Sequence, residues 1–194
     1  MRLAKWPSTT EVIKDFGLIN DYLEAGSDLL NMHRAMKRGR LVTAGCHLLG
    51  FGKPLGDGWE TRHPECQQYL DAYRKFQRDH ELTVLQVEPE LRNEIYHYIS
   101  HPDQIVLLDG KGPVDLELKS GGMPSWCRLQ TAGQVLAAGN PRMPRYGLQL
   151  KPDGTYTLYP HEDFRDLDRW IAMIETWWTI HDLRIAREGV RNGE

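Results

Sequence analysis

Residues 112–122 read GPVDLELKSGG, and they combine the pattern of a buried strand with three charges. Apolar residues alternate with Asp115, Glu117 and Lys119, and a Ser-Gly-Gly break follows. Side chains two apart in a strand share a face, so the charged side chains project together while the apolar ones face a core. One face of this strand is therefore predicted to be either a chemical site or a solvated surface. A solvated edge strand is the plainer alternative.

Neighbouring strand patterns place this segment in a sheet. Strands are predicted at 82–88, 93–100 and 104–110, and Asp109-Gly110 is a hairpin signal before the strand at 113–119. The hairpin brings Asp103, at the start of one strand, opposite Glu117 near the end of the other. Lys119 joins these two carboxylates. Mg²⁺ is held by carboxylates, and a neighbouring lysine can orient water or balance phosphoryl charge, so the pattern outlines a phosphodiester hydrolysis site.

Helical patterns surround these strands. Ser8 and Glu11 fit a capping box, which predicts a short first helix. The other predicted elements are helices at about 19–36, at 40–50 closed by Gly50, at 65–80, at 126–138 and at about 162–181, a long loop at 51–65, and a hairpin at 146–159. The predicted fold is α/β, with a central mixed sheet flanked by helices. It forms one domain, with a helical N-terminal part over about 8–80 and a catalytic core over about 81–181.

Composition and charge narrow the functional class. The chain has 194 residues, 40% of them apolar, which suits one domain with its own core. Neither a secretion signal nor a membrane span is visible, so an intracellular protein is expected. Its three cysteines are odd in number and far apart, which favours buried thiols over a disulfide framework. The net charge is -3, yet HRAMKRGR at 33–40 and NPRMPR at 140–145 are basic clusters that suit either nucleic acid or a solvated face.

The charged strand and its neighbours resemble the PD-(D/E)xK nuclease superfamily, in particular its RecB-like and phage-type exonuclease branch. HPD at 101–103 is similar to the family's Asp element, and ELK at 117–119 to its (D/E)xK element. WCRLQTAGQ at 126–134 falls where the family carries a helix with a central Gln, and the hairpin at 146–159 looks like one in phage members. The resemblance spans most of the chain. It implies a restriction-endonuclease-like core and Mg²⁺- or Mn²⁺-dependent DNA cleavage in phage or prokaryotic recombination or repair.

The resemblance also implies roles for individual residues. Asp103 and Glu117 would bind metal, together with the main-chain carbonyl of Leu118. Lys119 would position the attacking water, and Gln130 would support the site from its helix. These are the predicted catalytic residues and metal ligands.

Four further positions bear on the same site. Glu88 stands where relatives place another acidic residue, which makes it an additional candidate ligand. Thr43 stands where relatives usually have a metal-binding His. His47, one helical turn later, is the candidate substitute, although a helix-surface or core histidine is the favoured interpretation. Gln134 stands where relatives tend to carry Tyr. These departures leave open a second function, that of a nuclease-fold protein that binds DNA or a partner without cutting.

DNA is the predicted partner, with no membrane contact. The predicted DNA-binding residues are Arg38, Arg40, Trp126, Arg142 and Arg145. Trp126 either stacks on a terminal base or anchors the start of its helix. An iron-sulfur cluster is not expected, because it requires four suitably placed cysteines and the chain has three. A homo-oligomer or a recombination partner protein is compatible with the resemblance, as is the cytoplasm of a bacterial or phage-infected cell.

Overall fold

The computed structural model describes residues 5–19 and 29–192. Six α-helices are present in this part of the chain: α1 (Thr9–Asp15), α2 (Leu29–Gly50), α3 (Trp59–Arg62), α4 (Gln67–Asp79), α5 (Cys127–Ala137) and α6 (Arg165–Asn192). The strands are β1 (Leu82–Val87), β2 (Leu91–Asn93), β3 (Tyr98–Ser100), β4 (Gln104–Leu108), β5 (Lys111–Lys119), β6 (Arg145–Leu150) and β7 (Tyr156–Pro160). The α/β class is therefore confirmed.

Five of the strands form a central mixed sheet in the order β1-β4-β5-β6-β7. Neighbouring strands are antiparallel except β5 and β6, which run parallel and are joined through α5. Because β5 lies at the centre of this sheet, the alternative of a solvated edge strand is wrong. The remaining two strands, β2 and β3, form a separate antiparallel pair.

Both faces of the sheet are covered by helices. The apolar side chains of β5 at 114, 116 and 118 join the larger core, which also contains residues of α2 and α4. The opposite face, which carries the charges of β5, lies beneath α5, and α5 packs in turn against α6. Asp115 is fully buried on that face, and neither carboxylate oxygen has a hydrogen-bond partner within the described parts of the chain. Burial, followed by the charge of Glu117, raises the pKa of Asp115 well above its usual range.

The N-terminal helices differ from the prediction in two respects, one of which is the short helix α3 inside the predicted loop at 51–65. The capping box at Ser8 is confirmed, since its hydroxyl accepts from the Glu11 N–H and Glu11 accepts from the Ser8 N–H. The helix predicted to end near Met36 and the helix predicted at 40–50 are one element, α2, which ends at Gly50 as expected. A glycine inside a helix costs only about 1 kcal/mol, so Gly39 does not interrupt α2. The earlier part of the predicted helix, residues 20–28, lies outside the described residues.

Two other predicted boundaries are wrong. The strand expected at 93–100 is interrupted, because Asn93 Oδ1 accepts hydrogen bonds from the backbone N–H groups of Ile95 and Tyr96 and turns the chain. The last helix continues to Asn192. The three cysteines are buried and free, as expected. Among the described residues, no helix is both long and apolar enough to cross a membrane.

Candidate active site

Asp103 directly precedes β4, and the β4–β5 hairpin brings it to the charged end of β5. The antiparallel register pairs Gln104 with Leu116. Asp103 Oδ2 accepts a hydrogen bond of 2.7 Å from the Leu118 N–H. The connecting turn, Asp109-Gly110, has positive φ angles of 50° and 70°, as a two-residue hairpin requires. The structure therefore places Asp103 beside Glu117 and Leu118.

Glu117 is buried beneath α5, with 3% of its surface exposed. Its Oε1 atom accepts hydrogen bonds of 2.7 Å from both Lys119 Nζ and Gln130 Nε2. Its Oε2 atom accepts one of 2.8 Å from Gln134 Nε2. The two glutamines act together because residues four apart lie on the same face of a helix. Three donors from two elements therefore fix the orientation of one carboxylate.

Lys119 is contacted by three side chains. Its Nζ donates to Glu117 and, at 3.2 Å, to Gln130 Oε1, and it lies 5.2 Å from the centroid of the Trp126 ring. Burial lowers the pKa of Lys119, but neighbouring acidic groups, led by Glu117, outweigh burial and raise it above the usual value. Lys119 is therefore positively charged at neutral pH.

A second group of side chains gathers around Asp103. One ligand atom each from His47, Glu88 and Asp103 lie within 4.8 Å of one another. Glu88 follows β1 with a φ of 43°, and its N–H donates to the Asp103 carbonyl at 3.2 Å. This left-handed conformation costs a residue with a Cβ about 1–2 kcal/mol, and it is the type of local strain that accumulates at functional sites.

The electrostatics of this group fit a divalent cation. Burial, followed by the charge of Glu117, raises the pKa of Asp103 well above its usual range, because the two carboxylates repel each other. Burial lowers the pKa of His47, which favours the neutral imidazole that ligates metals. The His47 Nε2 atom is buried with no hydrogen-bond partner in residues 5–19 and 29–192. Carboxylate oxygens suit Mg²⁺ and Mn²⁺, and an added imidazole suits transition metals. The residues present therefore fit the predicted metal, and the half-buried His47 lies next to Glu88 and Asp103 in this group.

An open groove of about 490 Å³ leads to these groups. One wall is α2, which contributes Gly39, Arg40 and Thr43, and the other is the end of β5. Thr43 lies one helical turn before His47, so both positions face the same groove. This volume is in the range of ligand sites in proteins.

The predicted DNA-binding residues on α2 differ in their contacts. Arg40 is exposed and lines the groove. Arg38 is half-buried, because its guanidinium stacks 5.0 Å from the Tyr69 ring and donates at 3.3 Å to the Ser120 carbonyl. Arg38 therefore ties α2 to the end of β5, whereas Arg40 remains available to a ligand.

The other predicted DNA-binding residues lie elsewhere. Arg142 is exposed in the loop before β6. Trp126 is half-buried, precedes the first turn of α5 and packs against the core of that layer, which is the packing of a helix anchor. Base stacking by Trp126 stays a prediction.

The assignment of Arg145 to DNA binding is corrected by the structure. Its side chain is 5% exposed, and its guanidinium donates at 2.8 Å to the Arg128 carbonyl and lies 3.7 Å from Asp166. In the parallel register Arg145 pairs with Asp115, so it lies at the opposite end of the paired segment from Lys119, about 13 Å along the strand. Arg145 is thus part of the packed interior, because Asp166 of α6 neutralises it there.

Sequence reasoning missed one residue of the site, Gln134, which was noted only as a departure from the family pattern. Its spacing of four from Gln130 was the signal that both reach one target. No protein-family model matches the chain, and a search of curated proteins finds no match. The residues of the groove therefore carry the functional assignment.

Proposed function

We propose that this protein is a metal-dependent deoxyribonuclease built on a restriction-endonuclease-like core. The observation that carries the proposal is the convergence of Asp103, Glu117 and Lys119 in one groove with His47 and Glu88. Metal-dependent phosphodiester hydrolysis uses a bound cation, a positioned water and a positive charge near the phosphoryl oxygens. The carboxylates and His47 are candidate ligands for the cation, and Lys119 is the candidate for positioning the water and supplying the positive charge.

The metal-binding residues in this proposal are held by backbone pairing and by hydrogen bonds. Asp103, Glu88 and His47 would hold Mg²⁺ or Mn²⁺, together with Glu117 and the Leu118 carbonyl. The cation, when bound, supplies a water of lowered pKa and polarises a phosphoryl oxygen. The β4–β5 pairing and the Leu118 N–H position the Asp103 carboxylate in advance. This preorganisation limits the loss of side-chain freedom when the substrate arrives.

Lys119 has the role of positioning water and balancing charge. It is charged, and its contacts with Glu117 and Gln130 fix the Nζ atom. Water adds to phosphorus, the bond from phosphorus to one sugar oxygen breaks, and that oxygen takes up a proton. Negative charge grows on the phosphoryl oxygens during this step, and a fixed ammonium stabilises it. Gln130 orients both members of the ion pair through its amide.

The proposed substrate is DNA, bound along the groove beside α2. Arg40 is suited to contact phosphate, which carries no base information and predicts binding without sequence preference. By the family resemblance, the biological role is exonucleolytic processing in phage or prokaryotic recombination or repair. Arg142 and Trp126 stay predicted DNA contacts.

A cleavage assay tests the proposal. Purified protein is incubated with linear or circular DNA in Mg²⁺, Mn²⁺ or EDTA. We expect cleavage with either cation and none in EDTA, and cleavage of linear DNA alone would indicate an exonuclease. Lys119→Ala should lower the rate at least about 10²- to 10³-fold, because a charge that stabilises the transition state is lost.

Lys111→Ala is the matched control, since Lys111 lies at the exposed start of the same strand and contacts Tyr146. Its rate should stay near that of the wild type. Equal rates for Lys119→Ala and the wild type would refute the catalytic assignment. Binding of DNA by the wild type without cleavage in any cation would favour the alternative function of a non-cutting nuclease-fold protein.

A further inference from the structure

The ammonium group of Lys119 makes two hydrogen bonds, and both depend on Glu117. One goes to Glu117 Oε1 at 2.7 Å. The other goes at 3.2 Å to Gln130 Oε1, and the amide of Gln130 itself donates to Glu117. Glu117 is also a metal ligand in the proposed function, and a cation that shares its charge weakens its attraction for the lysine. A partner that does not depend on Glu117 would keep the ammonium in place when the metal is bound.

The indole ring of Trp126 provides this third contact. Lys119 Nζ lies over the ring, 5.2 Å from its centroid, which is within the distance at which an aromatic face attracts a cation. Trp126 directly precedes α5 and packs against the buried cluster that contains residues of α5 and α6. Two hydrogen bonds alone leave Nζ free to move along an arc, because two distances do not fix a point. The contact with the ring restricts that motion.

We propose that Trp126 is a positioning residue, which holds the ammonium of Lys119 at the groove through a cation–π contact during DNA cleavage. The inference rests on the proposed function, in which Lys119 positions water and balances phosphoryl charge. An ammonium has three N–H donors, of which Glu117 and Gln130 accept two. Lys119 lines the groove, and 19% of its side chain is exposed. One N–H therefore remains for water or a phosphoryl oxygen, and its direction depends on where Nζ is held.

This role differs from both roles that the sequence suggested for Trp126. A helix anchor needs only apolar contact, which a leucine also supplies, and the indole N–H is buried without a hydrogen-bond partner in the described ranges of the chain. Base stacking needs a ring face that is open to DNA, whereas this ring is half-buried and lies against Lys119. The aromatic face beside the ammonium is what distinguishes tryptophan from leucine at this position.

Steady-state cleavage of linear DNA at saturating Mn²⁺ tests the role, with kcat and KM measured separately. Trp126→Phe keeps an aromatic face, whereas Trp126→Leu keeps only an apolar side chain. We expect Trp126→Leu to lower kcat at least about tenfold at unchanged KM, because a displaced catalytic charge mainly affects the transition state. Trp126→Phe should keep kcat within about threefold of the wild type.

The matched control is Trp177→Leu. It removes another half-buried tryptophan that packs against the same buried cluster, and its ring contacts Trp178 and His181 instead of Lys119. Its kcat should stay near that of the wild type. A higher KM at unchanged kcat in Trp126→Leu would indicate base stacking, and equal losses of kcat in the leucine and phenylalanine variants would indicate packing alone. Either result would overturn the positioning role.

Fluorinated tryptophans at position 126 are used if Trp126→Leu does not give a cooperative thermal transition. Fluorine withdraws electron density from the ring face and nearly preserves the shape of the ring, so it weakens a cation–π contact without changing the packing. We expect kcat to fall stepwise with one, two and three fluorine atoms. A kcat that does not change along this series would overturn the role of Trp126.

A double-mutant cycle of Trp126→Leu and Lys119→Met separates this inference from the nuclease proposal. The contact should couple the two substitutions by about 2- to 5-fold in the equilibrium constant of unfolding, measured by chemical denaturation. Additive effects would overturn the role of Trp126 and leave the nuclease proposal intact. Failure of the wild type to cleave DNA with either Mg²⁺ or Mn²⁺ would overturn both, even if the cycle shows the coupling.

Discussion

Charged clusters lie at both ends of the β5–β6 pair, and they differ in what their charges contact. In the interior cluster, Asp166 is fully buried and lies within 4 Å of three arginines, Arg128, Arg145 and Arg169. In the groove cluster, three carboxylates face one lysine, and an imidazole nitrogen is unpaired among the described residues. In the interior cluster Asp166 and Arg145 are buried, and Arg128 and Arg169 lie at its partly exposed edge, whereas the groove cluster has an excess of negative charge and is open.

This difference shows which property of a charged cluster indicates function. Both clusters lie next to the same strands, and both contain residues that a sequence pattern can mark as basic or acidic. Buried charges in a fold are normally paired and hydrogen-bonded. Asp166 accepts a hydrogen bond from Arg169 through Oδ1, and its Oδ2 atom, which has no hydrogen-bond partner among the described residues, lies 3.7 Å from Arg145. A group of carboxylates that lacks matching cations, lies on a groove and includes a strained backbone residue is better explained by a ligand.

The largest expected effect on stability comes from disrupting the interior cluster. Asp166→Ala leaves Arg145 buried without its carboxylate partner, and breaking a buried pair in this way costs about 3–5 kcal/mol. Chemical denaturation should show this loss in the free energy of unfolding. The control is Asp168→Ala, at an exposed position two residues further along α6. It should change the free energy of unfolding by less than about 0.5 kcal/mol.

If Asp166→Ala unfolds no more easily than Asp168→Ala, the interior cluster is not structural, and the contrast with the groove cluster fails. Should the variant be too unstable to purify, Asp166→Asn keeps the shape and part of the hydrogen bonding. It should give a smaller loss of stability in the same direction.

The interior cluster also predicts a dependence of stability on pH. The His161 Nδ1 atom lies 2.9 Å from Thr131 Oγ1, and burial, followed by the charge of Arg145, lowers the pKa of His161 to about 4. Between about pH 6.5 and pH 4 the unfolded chain binds a proton there and the folded protein does not. Stability is therefore complete above that window and falls as the pH decreases through it.

His161→Gln should remove about 1–2 kcal/mol of this decrease, a value reduced because the ring is partly exposed. The measurement is the free energy of unfolding at pH 7 and pH 4.5 for the wild type and the variant. His33→Gln, at an exposed position of α2, should keep the wild-type pH dependence. A pH dependence that is identical in all three proteins would contradict the assignment.

The smallest expected effect on stability concerns the groove, and here the free energy of unfolding is expected to rise instead of fall. Glu88→Gly removes the Cβ from a residue with a positive φ, so we expect the free energy of unfolding to rise by about 0.5–1 kcal/mol. The same change removes a carboxylate from the proposed metal-binding group of His47, Glu88 and Asp103, so Mn²⁺ affinity should fall at least about tenfold. A denaturation curve and a Mn²⁺ titration together test the prediction.

Glu94→Gly is the control for backbone flexibility, because Glu94 is exposed and does not have a positive φ. That variant should be slightly less stable and should bind Mn²⁺ normally. If Glu88→Gly binds Mn²⁺ as tightly as the wild type, Glu88 is not part of the metal group.

Local patterns predicted the centre of the molecule well. The alternation in β5 and the Asp109-Gly110 turn were sufficient to place Asp103 beside the charged end of β5, because a two-residue hairpin leaves a narrow choice of registers. Those signals come from neighbouring residues. The sequence offered His47 only as a minor alternative ligand, because its approach to Glu88 depends on how α2 packs across the sheet.

Interactions between distant residues were not visible in the sequence. Arg145 was interpreted from its basic neighbours, yet Asp166, a residue of the following helix, determines its environment. The positive φ of Glu88 likewise arises where β1 ends against β4, and a single glutamate carries no local signal for it. Burial and strain are consequences of the assembled fold, so residue type and spacing do not report them.

The connection of β5 to β6 through α5 has a consequence for folding kinetics. The β4–β5 hairpin involves residues close in sequence, and such hairpins form within about 1–10 μs. Gln130 and Gln134 reach Glu117 only after α5 has crossed back over the sheet, and non-local contacts of this type form more slowly. The carboxylates are therefore expected to meet before the donors that orient them arrive. During synthesis on the ribosome, a chain that has emerged only as far as β5 would hold the acidic residues of the site without the glutamines.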